Sequence, residues 1–176
     1  MNLEGQRVAV LAEEGYQELE FWYPVLRLRE EGAAVVVVAP QTESAYESRL
    51  GYPLLAESTI EDLDPTTLDG VVIPGGEAGQ RLEKLEAVVE LVRETFERGA
   101  VTAAIGTGTR VLAAAGALKG KRFTADESLG GELTEVGGTF VDEEVVVDGS
   151  VITSRRADDL PAFFRSLQQT LLSKGK

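Results

Sequence analysis

Residues 101–117 read Val101-Thr-Ala-Ala-Ile-Gly106-Thr-Gly-Thr-Arg-Val-Leu-Ala-Ala-Ala-Gly-Ala117. The first five, Val101 to Ile105, have the length and apolar, β-branched character of a buried strand. The run breaks at Gly106-Thr107-Gly108, and residues 109–115 read as an Ala-rich helix capped by Thr107 or Thr109. A strand feeding a helix through one sharp turn has the shape of a nucleophile elbow, whose strained tip normally presents Ser or Cys to a cleft. Here the tip is Gly106, which has no side chain.

Upstream of the elbow, residues 70–74 form an apolar strand that stops at Gly75-Gly76. Residues 79–98 then read as one long amphipathic helix, with Leu82, Leu85, Val88, Val89, Val92 and Phe96 on one face and Gly99 at its end. Residues 7–12 and 33–39 are continuous apolar runs, as expected of central parallel strands buried on both faces. Between them lies a helix over residues 18–31, one side built by Leu19, Trp22, Leu26, Arg27 and Leu28 and closed by Gly32. Pro24 must fall in its first turn or kink it. Residues 41–69 are polar and irregular, with a short strand pair expected near 52–57 and a turn at Asp64-Pro65.

Downstream, residues 124–136 hold a short helix, and residues 143–154 form two strands around the hairpin signal Asp148-Gly149. Residues 158–172 close the chain as an amphipathic helix with Leu160, Phe163, Phe164, Leu167 and Leu171 inward. Buried strands alternating with helices predict one α/β domain over residues 1–176. It is a doubly wound, flavodoxin-like, mostly parallel sheet flanked by helices, with an antiparallel hairpin appended. Ligands in such sheets bind beyond the carboxyl ends of the strands, where residues 13–20, 74–80 and 106–109 converge.

Composition narrows the chemistry. The chain has 176 residues, no Cys and no His. Disulfides, thiolate catalysis, imidazole bases and Cys- or His-ligated metals are therefore excluded. A formal charge of −13 repels phosphate backbones, so no nucleic-acid partner is expected. The first strand starts by Arg7, leaving no room for a signal peptide, and no apolar run reaches membrane-span length. A cytoplasmic protein without membrane, metal or cofactor is expected. Gly106-x-Gly108 lacks a third glycine and follows a late strand, so it is not a dinucleotide fingerprint. The acidic run Asp142-Glu143-Glu144 alternates along a strand and reads as a solvated edge.

Taken together, the ordered stretches resemble the ThiJ/PfpI family of the class I glutamine amidotransferase-like superfamily, over nearly the whole chain. The matches are residues 8–24 (with Glu-Leu-Glu and Tyr-Pro), Asp69-Gly-Val-Val-Ile-Pro-Gly-Gly76, residues 103–116, Leu118-Lys-Gly-Lys121, residues 141–149 and Thr153-Ser-Arg155. The resemblance implies an elbow of Ala-Ile-Cys-His-Gly-Pro, its thiol the centre of hydrolytic, deglycase-like and hydratase-like chemistry. Gly106 stands at the Cys position and Thr107 at the His position. The resemblance also implies a Glu four residues after Pro-Gly-Gly, reaching a neighbouring subunit's site; Gln80 stands there. The family Glu that packs against the thiol, four residues before the helical Pro, matches Glu20.

Each site residue carries two readings. Gly106 is either a plain strand-to-helix connection or a gap over backbone amides that holds a small ligand. Glu20, beside Leu19, Phe21 and Trp22, is either an acid/base with a raised pKa or a helix-start carboxylate left from the old site. Thr107 and Thr109 are helix caps or site hydroxyls. Gly75 and Gly76 give pocket amides or a tight turn, and Arg155 holds an anion or pairs with a carboxylate.

Three functions follow as expectations. The first is a family member without its triad, catalytically silent or weak, binding a small molecule at the old site. The second is an enzyme acting on small carbonyl or acyl compounds, with Glu20 as acid/base and amides of Gly75, Gly76 and Thr107 as oxyanion donors. The third is a structural oligomer. Relatives of this type form dimers or larger symmetric rings, which makes a second copy of the chain the expected partner.

Overall fold

Valine-rich runs that are apolar on both faces become strands covered on both sides, and here they form the middle of one sheet. The computed structural model describes residues 2–174. In chain order its elements begin with β1 (Arg7–Leu11), α1 (Glu18–Glu30) and β2 (Ala34–Ala39). The short strands β3 (Tyr46–Glu47), β4 (Pro53–Leu54) and β5 (Ser58–Thr59) precede β6 (Gly70–Ile73). Next come α2 (Glu77–Leu82), α3 (Glu86–Glu97), β7 (Val101–Ile105) and α4 (Thr109–Ala114). The chain ends with β8 (Arg122–Phe123), α5 (Gly130–Thr134), β9 (Thr139–Phe140), the hairpin β10 (Val145–Asp148) and β11 (Val151–Ser154), and α6 (Leu160–Lys174).

Seven strands pair in the order β10-β11-β7-β6-β1-β2-β5, all parallel except β10 against β11. The α/β, mostly parallel architecture and its hairpin are those expected from the sequence. From β1 the chain winds first toward β2, then crosses back to β6 and β7. The direction of winding therefore switches between β1 and β6, and a crevice opens there beyond the strand ends. On α6, Leu160, Phe163, Phe164, Leu167 and Leu171 are buried as their spacing predicts.

Three local expectations need correction. The helix expected over residues 79–98 is two helices, α2 and α3. A Cβ on Gly79 would lie 2.5 Å from the carbonyl oxygen of Thr107, so α2 is drawn hard against the elbow while α3 packs on β6 and β7. The inward stripe runs through the break because Leu82 and Val88 are buried on both sides of it. On α1 the buried face is Glu20, Phe21, Pro24, Val25 and Leu28, and Leu19 and Leu26 face outward. Its apolar residues are spread round the helix among five charged ones, so periodicity does not choose its core side.

Pro24 lies inside α1, beyond the first turn, where it cannot donate to the Glu20 carbonyl. The strand pair expected near residues 52–57 is β4 paired antiparallel with β3, and β5 joins the edge of the main sheet.

Candidate functional site

All five residues of β7 are buried, and the strand delivers the chain to Gly106 with φ +55°, in the left-handed region of a strained elbow. A tight turn over residues 106–108 leads into α4. A Cβ on Gly106 would meet the Arg155 carbonyl oxygen at 3.3 Å and both carboxyl oxygens of Glu20 at 3.6 Å. The space for a side chain is there, and Glu20 faces it.

Glu20 sits in the first turn of α1, only 5% exposed. Gln17 caps the helix by accepting from the Glu20 amide at 2.8 Å. The Glu20 Oε2 accepts from the Gly75 amide, also at 2.8 Å. Burial pushes its carboxyl up to about 7; the Gly75 hydrogen bond and the charge of Arg49 oppose this, while Asp126 and Glu18 add to it. Near neutral pH the group is therefore divided between acid and carboxylate. The Gly75 amide is bonded to Glu20 and does not stand free as an oxyanion donor.

The expected threonine caps do not form. The Thr107 hydroxyl donates to the Gly76 carbonyl at 2.6 Å, tying the elbow to the loop after β6. Thr109 is fully buried, its hydroxyl without a partner among the described residues, and it does not line the cleft. Both places were open to capping by residue type, but α4 begins from the preceding turn and presents no free cap position.

A cleft of about 430 Å³ joins Gln17, Glu20, Gly76, Gln80, Gly106 and Thr107. The three loops expected to converge do so. Arg155 lines the same cleft, but its guanidinium is bound to Asp159 at 2.9 and 3.1 Å and to Asp142 at 2.8 Å. These bonds hold its pKa above the ordinary arginine value.

Arg49, Glu77, Asp126, Arg156 and Asp158 also line the cleft and were not anticipated. Arg49 comes from the irregular segment, which is stapled to the first loop by Gly15 donating to Glu47 and Arg49 donating to Tyr16. Arg156 had a signal in its position next to Arg155. Among the described residues no group of three or more Asp or Glu is placed to hold a metal ion, and no helix is long and apolar enough to cross a membrane.

The model of the DJ-1/PfpI family matches residues 6–170. The chain belongs to this family. An uncharacterized protein of Archaeoglobus fulgidus is 41% identical over 165 residues, spanning 94% of this chain and 98% of its own. A deglycase of Thermococcus kodakarensis is 33% identical over 165 residues, 94% of this chain and 99% of that one. The crystal structure of an Anabaena variabilis protein with DJ-1/ThiJ/PfpI-like and ferritin-like domains superposes with a TM-score of 0.92 at 32% identity. That match takes in 94% of this chain and 48% of the two-domain one. This member of the DJ-1/PfpI family has no cysteine anywhere in its sequence.

Proposed function

We propose that this DJ-1/PfpI protein has given up covalent thiol chemistry and uses the cleft to bind a small polar molecule beside Glu20. The observation that carries this reading is the bare Gly106 facing a buried carboxyl, with both oxygens 3.6 Å from the place a Cβ would take. Thiol catalysis needs a thiolate, and a hydrogen atom stands there instead. Thr107 is no substitute, since its hydroxyl is already donated to the Gly76 carbonyl rather than to a base. A half-protonated carboxyl at the rim of a gap can donate to a carbonyl or accept from a hydroxyl of a bound molecule.

The test is turnover. Purified protein is offered a peptide, a dicarbonyl and a glycated amine, and no rate above buffer is expected. Gly106→Cys is expected to gain stoichiometric alkylation by iodoacetamide, read as a mass shift, because the added Cβ meets no atom closer than 3.3 Å and the position opens on the cleft. Robust wild-type turnover that disappears in Glu20→Gln would overturn the binding reading. It would favour the second one, a hydrolase or lyase using Glu20 as acid/base, which rests on the carboxyl's pKa of about 7.

We also propose that the chain self-associates. Leu19, Trp22 and Leu26 form a stripe along the outer side of α1, and Leu50 and Tyr52 continue it into a groove of about 610 Å³. Leu19, Leu26 and Tyr52 are each 59% exposed and Leu50 86%. A contiguous exposed apolar patch rimmed by polar residues is what a protein–protein contact presents. Residues spaced along one helix face can meet the same residues of a second copy across a two-fold axis, which makes a second copy the fitting occupant. Wild type is expected to sediment at twice the chain mass and Leu26→Glu at the chain mass. A monomeric wild type removes this reading.

A further inference from the structure

The fold pairs Arg27, Arg29, Arg93, Arg110, Arg122 and Arg155 with carboxylates. Arg49 and Arg156 are different. Both line the cleft, and among the described residues neither guanidinium makes a hydrogen bond or an ion pair. Their backbones are nevertheless fixed. The Arg49 amide donates to the Tyr16 carbonyl at 3.0 Å, in the loop that leads to Glu20. Arg156 is extended, with φ −164° and ψ 176°, directly after the Arg155 carbonyl that borders the Gly106 gap. Arg49 feels the charges of Glu18 and Glu20 without forming an ion pair with either, and in a chain of net charge −13 two cations with open donors in the wall of one cleft select an anion.

The rest of the lining limits which anion. Glu77, Asp126 and Asp158 border the same space, so a dianion such as phosphate meets three carboxylates there. A planar carboxylate carries one charge and matches the guanidinium fork with two parallel hydrogen bonds. Glu20, beside the Gly106 gap in the same cleft, offers a second polar contact suited to a carbonyl or hydroxyl oxygen.

We infer that the ligand of this cleft is a small monocarboxylate bearing a second oxygen, its charged end between Arg49 and Arg156 and the other oxygen on Glu20. This rests on the non-covalent reading of the site and adds the chemical class of the ligand.

Calorimetric titration of the full chain at neutral pH tests it, with pyruvate, its neutral amide and inorganic phosphate as probes. Pyruvate is expected to bind, with the amide at least about tenfold weaker and phosphate weaker still. Arg49→Gln and Arg156→Gln are each expected to weaken pyruvate about 10- to 100-fold. Arg165→Gln, on α6 away from the cleft, is expected to leave it unchanged. Amide binding as tight as that of pyruvate overturns the carboxylate inference, and if Glu20→Gln abolishes that binding the non-covalent reading stands. Phosphate binding more tightly than pyruvate, no pyruvate binding at millimolar concentration, or arginine variants that bind like wild type also overturn it. A covalent adduct or turnover of the probe would instead bring down the reading beneath it.

Discussion

Gly76→Ala is expected to lower folding stability by about 3–5 kcal/mol, a large part of what a domain of this size has to lose. Gly76 has φ +87° and ψ −160°, a conformation that residues with a Cβ scarcely enter. A Cβ built there would lie 2.4 Å from the Gly15 carbonyl oxygen, 2.7 Å from the Gln17 amide nitrogen and 3.0 Å from the Tyr16 carbonyl carbon. All three are backbone atoms, so relief requires moving the loop between β1 and α1. That loop carries the Gln17 cap and sets the entry angle of Glu20, so the cleft deforms with it.

Gly106→Ala is the control. Its φ is also positive, at +55°, but its nearest contact is 3.3 Å, so only the local strain of about 1–2 kcal/mol applies. Urea unfolding of the two variants beside wild type measures the difference. A Gly76→Ala protein within 1 kcal/mol of wild type would show that the loop yields cheaply and that the account of the cleft wall is wrong.

The contrast between these two glycines bears on what a sequence can disclose. Continuous apolar runs gave β1, β2, β6 and β7 because a strand buried on both faces needs no partner information to be recognised. Asp148-Gly149 marked the hairpin because its turn needs a positive φ, and Gly149 has one, at +67°. The elbow and its missing side chain were legible for the same local reason.

What was not legible depends on contacts between distant segments. The helix breaks between Leu82 and Glu86, and α2 takes its own place against Thr107, a residue far from Gly79 in the chain. On α1, Leu19 and Leu26 are as apolar as the buried Phe21, Val25 and Leu28, and only packing against the rest of the fold decides between them. Arg49 lies in a segment with no period of its own, brought to the cleft by two backbone hydrogen bonds. Thr109 looked like a cap by type, and burial beside the sheet removed it from both the cap and the cleft. The site's glycines, Glu20 and Arg155 were thus readable, and Arg49 and Arg156 were not.

Glu20→Gln is expected to stabilise the protein by about 3 kcal/mol above pH 7 and to lose that advantage toward pH 4.5. Burial raises the folded carboxyl to about 7 from an ordinary 4.5, so the folded chain binds this proton more tightly than the unfolded chain does. The contribution of the protonated group is whole below about pH 4.5 and is lost as pH rises through 7. Above that point the wild type holds a buried carboxylate, eased by the Gly75 amide but still largely desolvated. Glutamine keeps an acceptor for that amide and never ionises, so the difference between the two proteins isolates this one group. Urea unfolding from pH 5 to 8.5 reads it directly; a gap that stays flat with pH, or favours glutamate at pH 8, refutes the buried, perturbed carboxyl. A chain that tolerates this cost beside an empty elbow retains, at the centre of its cleft, a group that changes protonation near neutral pH and is free to exchange its proton with whatever occupies the gap.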